Sequence, residues 1–336
     1  MLFPTSNYMF LLLLLTGSII SISSTSWFSA WIGLELNMLC FIPLITSKMN
    51  FYLSEAAVKY FLIQAMGSAM LISSSFFLIY FTFLSHILIL ASLLLKLASA
   101  PFHLWLPQII EGLTWFQVFL LSTLQKLAPM ILMSYLYLNP FMMYMIIFCA
   151  VCSAVLGALG GLNVMYLRKI IAFSSINHLS WLLIAILTSE IIWLLYFLIY
   201  FIILSTIISM FSKLNIFTFS SLIQYYHNNS YLYFLIIINL LSLGGLPPLI
   251  GFIPKWLLIQ LMINYYLIIP LIFMLFSSLI TLYFYMRISN TLSIMYTPIL
   301  SFNTKYNYTT FSFYMSIFIM SFNLLGILLP TFMLFT

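Results

Sequence analysis

The chain has 336 residues, of which 65% are hydrophobic and 4% are Asp, Glu, Lys or Arg, and its net charge is +6. A soluble globule of this size needs a polar surface that such a composition lacks. The ten basic residues are scattered rather than gathered with aromatics into a nucleic-acid-binding patch. The apolar runs are about 20 residues long, enough to cross a ~30 Å hydrocarbon layer as helices, and they lack the two-residue alternation of a membrane β-barrel. The sequence therefore predicts an all-α polytopic membrane protein, a single integral membrane domain over residues 1–336.

Eleven candidate spans follow in chain order, at 8–23, 26–46, 54–81, 84–106, 114–138, 140–160, 168–188, 190–212, 231–266, 268–290 and 310–335. No Lys or Arg precedes Lys48. The first run thus lacks the basic region of a secretory signal and the arginines of a transit peptide, and is expected to be a retained helix. The second span carries Glu35 near its middle, beside Gly33 and Asn37, with Cys40 in its apolar run. The third opens with Glu55 and Lys59, spaced as a helix-surface ion pair. Lys59 is a candidate functional group on equal terms with that simpler role. The fourth holds His86 and is broken at Lys96-Leu-Ala-Ser-Ala-Pro101, with His103 and Pro107 following. The fifth carries Lys126 about midway, with Gln125 adjacent and Ser122 one turn before. Cys149 and Cys152 in the sixth have CxxC spacing, but two small packing residues one turn apart is the simpler account of them.

In the seventh span, Ser174, Asn177, His178 and Trp181 share one helical face by their spacing. The ninth is too long for one ordinary span and is broken by Leu243-Gly-Gly-Leu-Pro-Pro-Leu-Ile-Gly-Phe-Ile-Pro254-Lys255. Glu111, Glu190 and His227 fall between spans and are expected in loops. Lys48, Arg168, Lys169, Lys213, Arg287 and Lys305 all fall on one side of an eleven-span topology, whereas the opposite loops carry no Lys or Arg. The positive-inside rule places that side, with the N-terminus, in the matrix or cytoplasm and the C-terminus opposite.

A charge at the centre of a membrane helix costs roughly 2.5–3.5 kcal/mol on insertion scales. Glu35, Lys96, Lys126 and Lys255 are nevertheless retained there, and His178 is similarly central. Non-helical backbone at that depth is tolerated within protein or beside a water-filled cavity, and paired broken segments mark many transporters. Each of the two breaks here has a lysine close by. The five groups, on different helices at similar depth, suggest a row parallel to the membrane along which protons or ions move. Burial and a nearby opposite charge act on such groups in opposite senses, so a Glu–Lys pair that opens and closes switches a lysine between holding and releasing a proton. Buried ion pairs that only fix helix packing are the inert alternative. No catalytic triad, P-loop, Rossmann fingerprint or metal-spaced His/Cys cluster is present in the sequence, so any redox cofactor is expected in partner subunits.

Several motifs together resemble one family. They are Gly33-Leu-Glu35-Leu-Asn37, Glu55-Ala-Ala-Val-Lys59-Tyr-Phe-Leu-Ile-Gln64, Ala100-Pro-Phe-His-Leu-Trp105 and Glu111-Gly-Leu-Thr-Trp115. Gln125-Lys-Leu-Ala-Pro129, the run from Arg168 to His178 and the run from Leu243 to Trp256 complete the set. In order, over about residues 26–290, they resemble the subunit 2 family of animal mitochondrial NADH–ubiquinone oxidoreductase, an antiporter-like subunit of respiratory complex I. A compositional skew to Leu, Ile, Phe, Met and Tyr fits an AT-rich organellar genome. The resemblance implies an antiporter-like fold of fourteen helices with two inverted five-helix repeats, lacking the first three helices in the animal form. It implies that Glu35 and Lys96 are the pair of the first half-channel, Lys126 the connecting lysine and Lys255 the terminal one. His178 then lies in the span mirroring that of Glu35. Ser180 departs from the glycine common in relatives.

The implied function is a proton-translocation pathway coupled to NADH oxidation by ubiquinone. NADH, FMN, iron–sulfur clusters and ubiquinone are then bound by other subunits. The partners implied are further complex I membrane-arm subunits, other antiporter-like ones among them, with membrane lipids and protons and no nucleic acid. The implied location is the mitochondrial inner membrane, N-terminus in the matrix and C-terminus in the intermembrane space. A subunit of a multisubunit cation/proton antiporter and an inert membrane scaffold are the rival readings.

Overall fold

A computed structural model describes residues 5–47, 50–78, 80–137, 139–224 and 230–294. Ten of the eleven predicted spans fall within them. The eleventh, at 310–335, lies outside, as do Lys48, His227 and Lys305. By its internal contacts the chain divides into two compact units, residues 1–157 with 171–187, and residues 158–170 with 188–336.

The first unit contains α1 (Thr5–Ser23), α2 (Trp27–Ile45), α3 (Phe51–Phe77), α4 (Thr82–Leu97), α5 (Trp105–Gly112), α6 (Trp115–Ser122) and α7 (Leu124–Ser134). It also holds most of α8 (Pro140–Gly160) and α9 (Leu167–Thr188). α2 starts at Ser26, whose side chain accepts from the Ser29 backbone N–H while the Ser29 hydroxyl accepts from the Ser26 N–H, a capping box. α1 and α2 cross where both carry glycine. A Cβ on Gly33 would stand 2.6 Å from the Ser21 nitrogen and 2.7 Å from the Gly17 carbonyl oxygen, so no larger residue fits. α9 is the most enclosed span of this unit, buried on nearly every face.

The fourth predicted span is broken as expected. α4 ends at Ala98, in the left-handed region at φ 59°. The carbonyls freed at that end are taken up at once. The Ala98 N–H reaches Leu94 and Leu95, Ser99 donates to Leu94 from both its nitrogen and its hydroxyl at 3.1 Å, and the Trp105 indole donates to Leu95 at 3.1 Å. A cis Ala100–Pro101 peptide and one 3-10 turn, Phe102–Leu104, lead into α5. Glu111 sits in the last turn of α5, half-buried, not in the loop expected for it; the helix continues until Leu113 turns extended.

The fifth span, which carries no break in the sequence reading, is interrupted at Thr123 (φ −121°, ψ −79°), between α6 and α7. The cause is local. The Ser122 hydroxyl donates to the Val118 carbonyl at 2.8 Å and that of Thr123 to Phe119 at 2.6 Å. Such back-bonding bends helices, and Pro129 inside α7 withholds a further donor.

The second unit contains α10 (Glu190–Leu214), α11 (Phe219–Gln224), α12 (Ser230–Gly244), α13 (Phe252–Asn264) and α14 (Ile268–Ile294). Glu190 is the exposed first residue of α10 rather than a loop residue. α10 closes at Asn215 in the left-handed region, and the chain then pairs with the strand-like segment before α9. Leu167 donates to Phe217 at 3.1 Å and Phe219 to Met165 at 3.0 Å. The Arg168 guanidinium lies 4.5 Å over the Phe217 ring, and Arg287 donates to the Val164 carbonyl. The ninth predicted span is two helices, α12 and α13, separated by the Gly-Gly-Leu-Pro-Pro run.

Candidate functional site

Lys96 is the most C-terminal charged residue of α4, one residue before the break. It is 7% exposed. Gly67 on α3 gives its stem room, since a Cβ there would meet Leu95 Cδ2 at 3.2 Å and Lys96 Cγ at 3.3 Å. Glu35, half-buried on α2, makes no ion pair with Lys96. The Glu35 Oε2 atom is buried without a protein hydrogen-bond partner. The pair that the resemblance implies is therefore not joined by an ion pair.

Lys126 is 2% exposed on the first turn of α7, directly after the interruption at Thr123. Its ammonium donates to the Ser175 carbonyl of α9 at 3.1 Å. That hydrogen bond satisfies one of three donors. Lys96 and Lys126 line one cavity together with Asn37, Tyr60, Gln64 and Gln125. It offers about 20 Å³ to the centre of a water molecule, more than the 10–15 Å³ a single water needs. The interior of this unit thus holds two lysine side chains around a space of mixed polar and apolar lining that is large enough for water. His178 lies between two and three turns along α9 from Arg168 and Lys169 and is buried, as are Ser174, Asn177 and Trp181. The face predicted from their spacing is an interior one.

Lys255 belongs to the second unit, near the start of α13, and is 6% exposed. Its ammonium donates to the Gly244 carbonyl at 2.9 Å, the last residue of α12. Gly245 follows at φ +81°, and a Cβ there would stand 3.0 Å from both Lys255 Cδ and Nζ. A cation at a helix C-terminus meets the negative end of the helix dipole. Lys96 sits in the last turn of α4, where the freed carbonyls are already taken by Ala98, Ser99 and Trp105. The second break therefore brings a lysine to a helix-end carbonyl, the arrangement by which transporter half-helices hold cations.

Lys59 stands apart. It forms a 2.6 Å ion pair with Glu55, with both side chains more than two-fifths exposed, the helix-surface geometry of that spacing. His103, in the turn after the break, is buried; His86 is half-buried on α4. Cys40 and Cys149 are buried and Cys152 half-buried, and all three are free thiols. Tyr60, Gln64 and Gly67 were not singled out from sequence, although Tyr60 and Gln64 lie in a quoted motif and Gly67 is an interior helix glycine, which itself signals close packing.

The family described as NADH:quinone oxidoreductase/Mrp antiporter, TM matches residues 24–84 and 79–281. Among solved structures, a chain of respiratory complex I from Thermus thermophilus with bound Aureothin is similar in fold at a TM-score of 0.84, with 24% identity, covering 97% of this chain and 79% of that one. A chain of the Mrp complex from Dietzia sp. aligns at 0.70 with 17% identity, covering 83% and 59%. The fold thus defines an antiporter-like polytopic membrane subunit. Curated relatives narrow this further. NADH-ubiquinone oxidoreductase chain 2 of Anopheles gambiae is 43% identical over 293 residues, covering 84% of this chain and 85% of the mosquito protein. That of Symphalangus syndactylus is 43% identical over 295 residues, covering 84% of each. The chain belongs to the NADH-ubiquinone oxidoreductase chain 2 family.

Proposed function

We propose that this chain is a membrane subunit of respiratory complex I in the mitochondrial inner membrane and carries one of its proton pathways. Glu35, Lys96, Lys126, His178 and Lys255 form the relay, while Lys59 is held in its surface pair with Glu55. The observation that carries the proposal is the sharing of one water-sized cavity, lined by Asn37, Tyr60, Gln64 and Gln125 as well as by apolar side chains, by two lysines, each under a tenth exposed, inside an apolar unit. A neutral lysine amine accepts a proton that a neighbouring ammonium gives up through water. The field of Glu35 is the handle by which movement of α2 or α4 changes how strongly Lys96 holds its proton.

The neighbours are other membrane-arm subunits, including further antiporter-like ones, and lipids cover the apolar outer faces. NADH oxidation, with FMN, iron–sulfur clusters and ubiquinone, belongs to partner subunits, and this chain supplies no redox centre. The N-terminus faces the matrix and the C-terminus the intermembrane space. The antiporter-subunit alternative is disfavoured by the gap between 43% identity to chain 2 of Anopheles gambiae and 17% to the Mrp chain.

The test is Lys126→Met in the assembled complex, reconstituted in sealed vesicles, with assembly checked on the same preparation. The proton-to-electron ratio or the coupled turnover is expected to fall. If both match the native complex, the lysines are inert packing groups and the relay is abandoned for this subunit.

A further inference from the structure

The wall between Lys96 and Lys126 has a feature that the lysines themselves do not require. The Tyr60 hydroxyl on α3 donates to the Gln125 side-chain oxygen at 3.4 Å. The Tyr60 ring is 2% exposed and held edge-on by Phe41, at 5.1 Å between centroids, and by Trp105, at 6.3 Å. With its oxygen turned to Tyr60, the amide has its two N–H donors left over. Its Nε2 is buried and has no protein partner, in a residue that lines the cavity shared by the two lysines. A buried donor without a partner is costly, and the cavity offers about 20 Å³ to a water centre.

We propose that Gln125, oriented by Tyr60, is a positioning residue that holds the water through which a proton passes between Lys96 and Lys126. The inference rests on the relay described above and adds the group that sets its geometry. Water has two lone pairs and two hydrogens. The Gln125 N–H occupies one lone pair. The other accepts a hydrogen from whichever lysine is an ammonium, and one water hydrogen points to the lone pair of the lysine that is an amine. Transfer then breaks one N–H bond at the donor lysine and one O–H bond of the water, and forms one O–H bond and one N–H bond at the acceptor. Water is regenerated and one proton has moved. An amide suits this post because it is uncharged and does not titrate in the working range, so it neither traps the proton nor repels it. Tyr60 fixes which end of the amide faces the water; without it the amide is free to turn its oxygen inward and compete for the ammonium.

The experiment compares Gln125→Leu, Tyr60→Phe and Lys126→Met in the assembled complex in sealed vesicles. It measures coupled turnover, proton-to-electron ratio and the solvent deuterium isotope effect. Gln125→Leu is expected to slow coupled turnover about tenfold, since misplacing a reacting group by about 1 Å can cost up to about a hundredfold, and to raise the isotope effect. Tyr60→Phe keeps the ring and its packing and is expected to change both in the same direction by a smaller factor; it also serves should Gln125→Leu fail to assemble. Native-like turnover in the Gln125 and Tyr60 variants overturns the proposal, as does slowed turnover with an unchanged isotope effect, which marks mere packing damage. If Lys126→Met abolishes pumping while both of the others behave as native, Gln125 alone loses its role. If Lys126→Met pumps normally, the relay itself is wrong.

Discussion

Two adjacent glycines illustrate how single residues shape the second broken span. A Cβ on Gly244 would meet nothing closer than 3.5 Å, ordinary contact, whereas one on Gly245 would press on the Lys255 side chain at 3.0 Å, at a backbone φ of +81°. Left-handed backbone costs an L-residue about 1–2 kcal/mol. Gly245→Ala is therefore expected to destabilise the break by about that amount and to displace the Lys255 ammonium from the Gly244 carbonyl, lowering coupled turnover. Gly244→Ala should be close to native on both counts. Thermal inactivation and turnover of the two assembled variants, measured side by side, check this; equal behaviour would mean that the turn does not hold Lys255. Lys96 and Lys255 were legible in the sequence because a charge retained among apolar residues is expensive and must have company. That the Lys255 ammonium reaches the Gly244 carbonyl at the end of α12 was not, because neither its rotamer nor the path of the broken backbone is written in the spacing.

At the scale of elements, the ends and interruptions of helices decide where the polar groups go. Gln117 joins two helix ends. Its side-chain oxygen accepts from the Thr114 backbone N–H at 2.8 Å, starting α6, while its nitrogen donates to the Leu44 and Ile45 carbonyls at 2.7 and 3.2 Å, ending α2. Gln117→Leu leaves these buried groups unsatisfied, at about 1–3 kcal/mol for each group stranded. The variant should show a lower thermal midpoint and faster amide hydrogen exchange at both helix ends. Unchanged exchange at the end of α2 would count against the clamp. The sequence showed the breaks at Pro101 and at the Gly-Gly-Leu-Pro-Pro run because proline and glycine announce themselves. It did not show the one at Thr123, where serine and threonine hydroxyls turn back on the helix. Those residues do this in some helices and not in others, depending on what surrounds them.

At the scale of the whole molecule, charge distribution sets the topology. Glu190 opens the 25-residue helix α10 and Lys213 and Asn215 close it, and the proposed orientation puts the Glu190 end in the intermembrane space and the Asn215 end in the matrix. With the native cysteines replaced, Glu190→Cys is expected to react with an impermeant maleimide in intact mitoplasts, and Asn215→Cys only after the membranes are opened. The reverse pattern would invert the proposed orientation.

The sequence by itself determined the class of protein, the course of most of the described helices, two of the three interruptions found among the described residues, and the charged residues worth following. These rest on hydrophobic run length, on proline and glycine, and on the cost of charge in lipid, all of which are local properties. The tertiary structure alone decided that Tyr60 meets Gln125 across 65 positions of sequence, that Lys126 rests on the Ser175 carbonyl, and that Glu35 and Lys96 form no ion pair. It also decided that the Glu55–Lys59 pair stays at the surface, away from the cavity. Which polar atoms share one small cavity depends on how helices distant in sequence cross, and crossing is fixed by close packing at residues such as Gly17, Gly33 and Gly67, not by any pattern along a single helix.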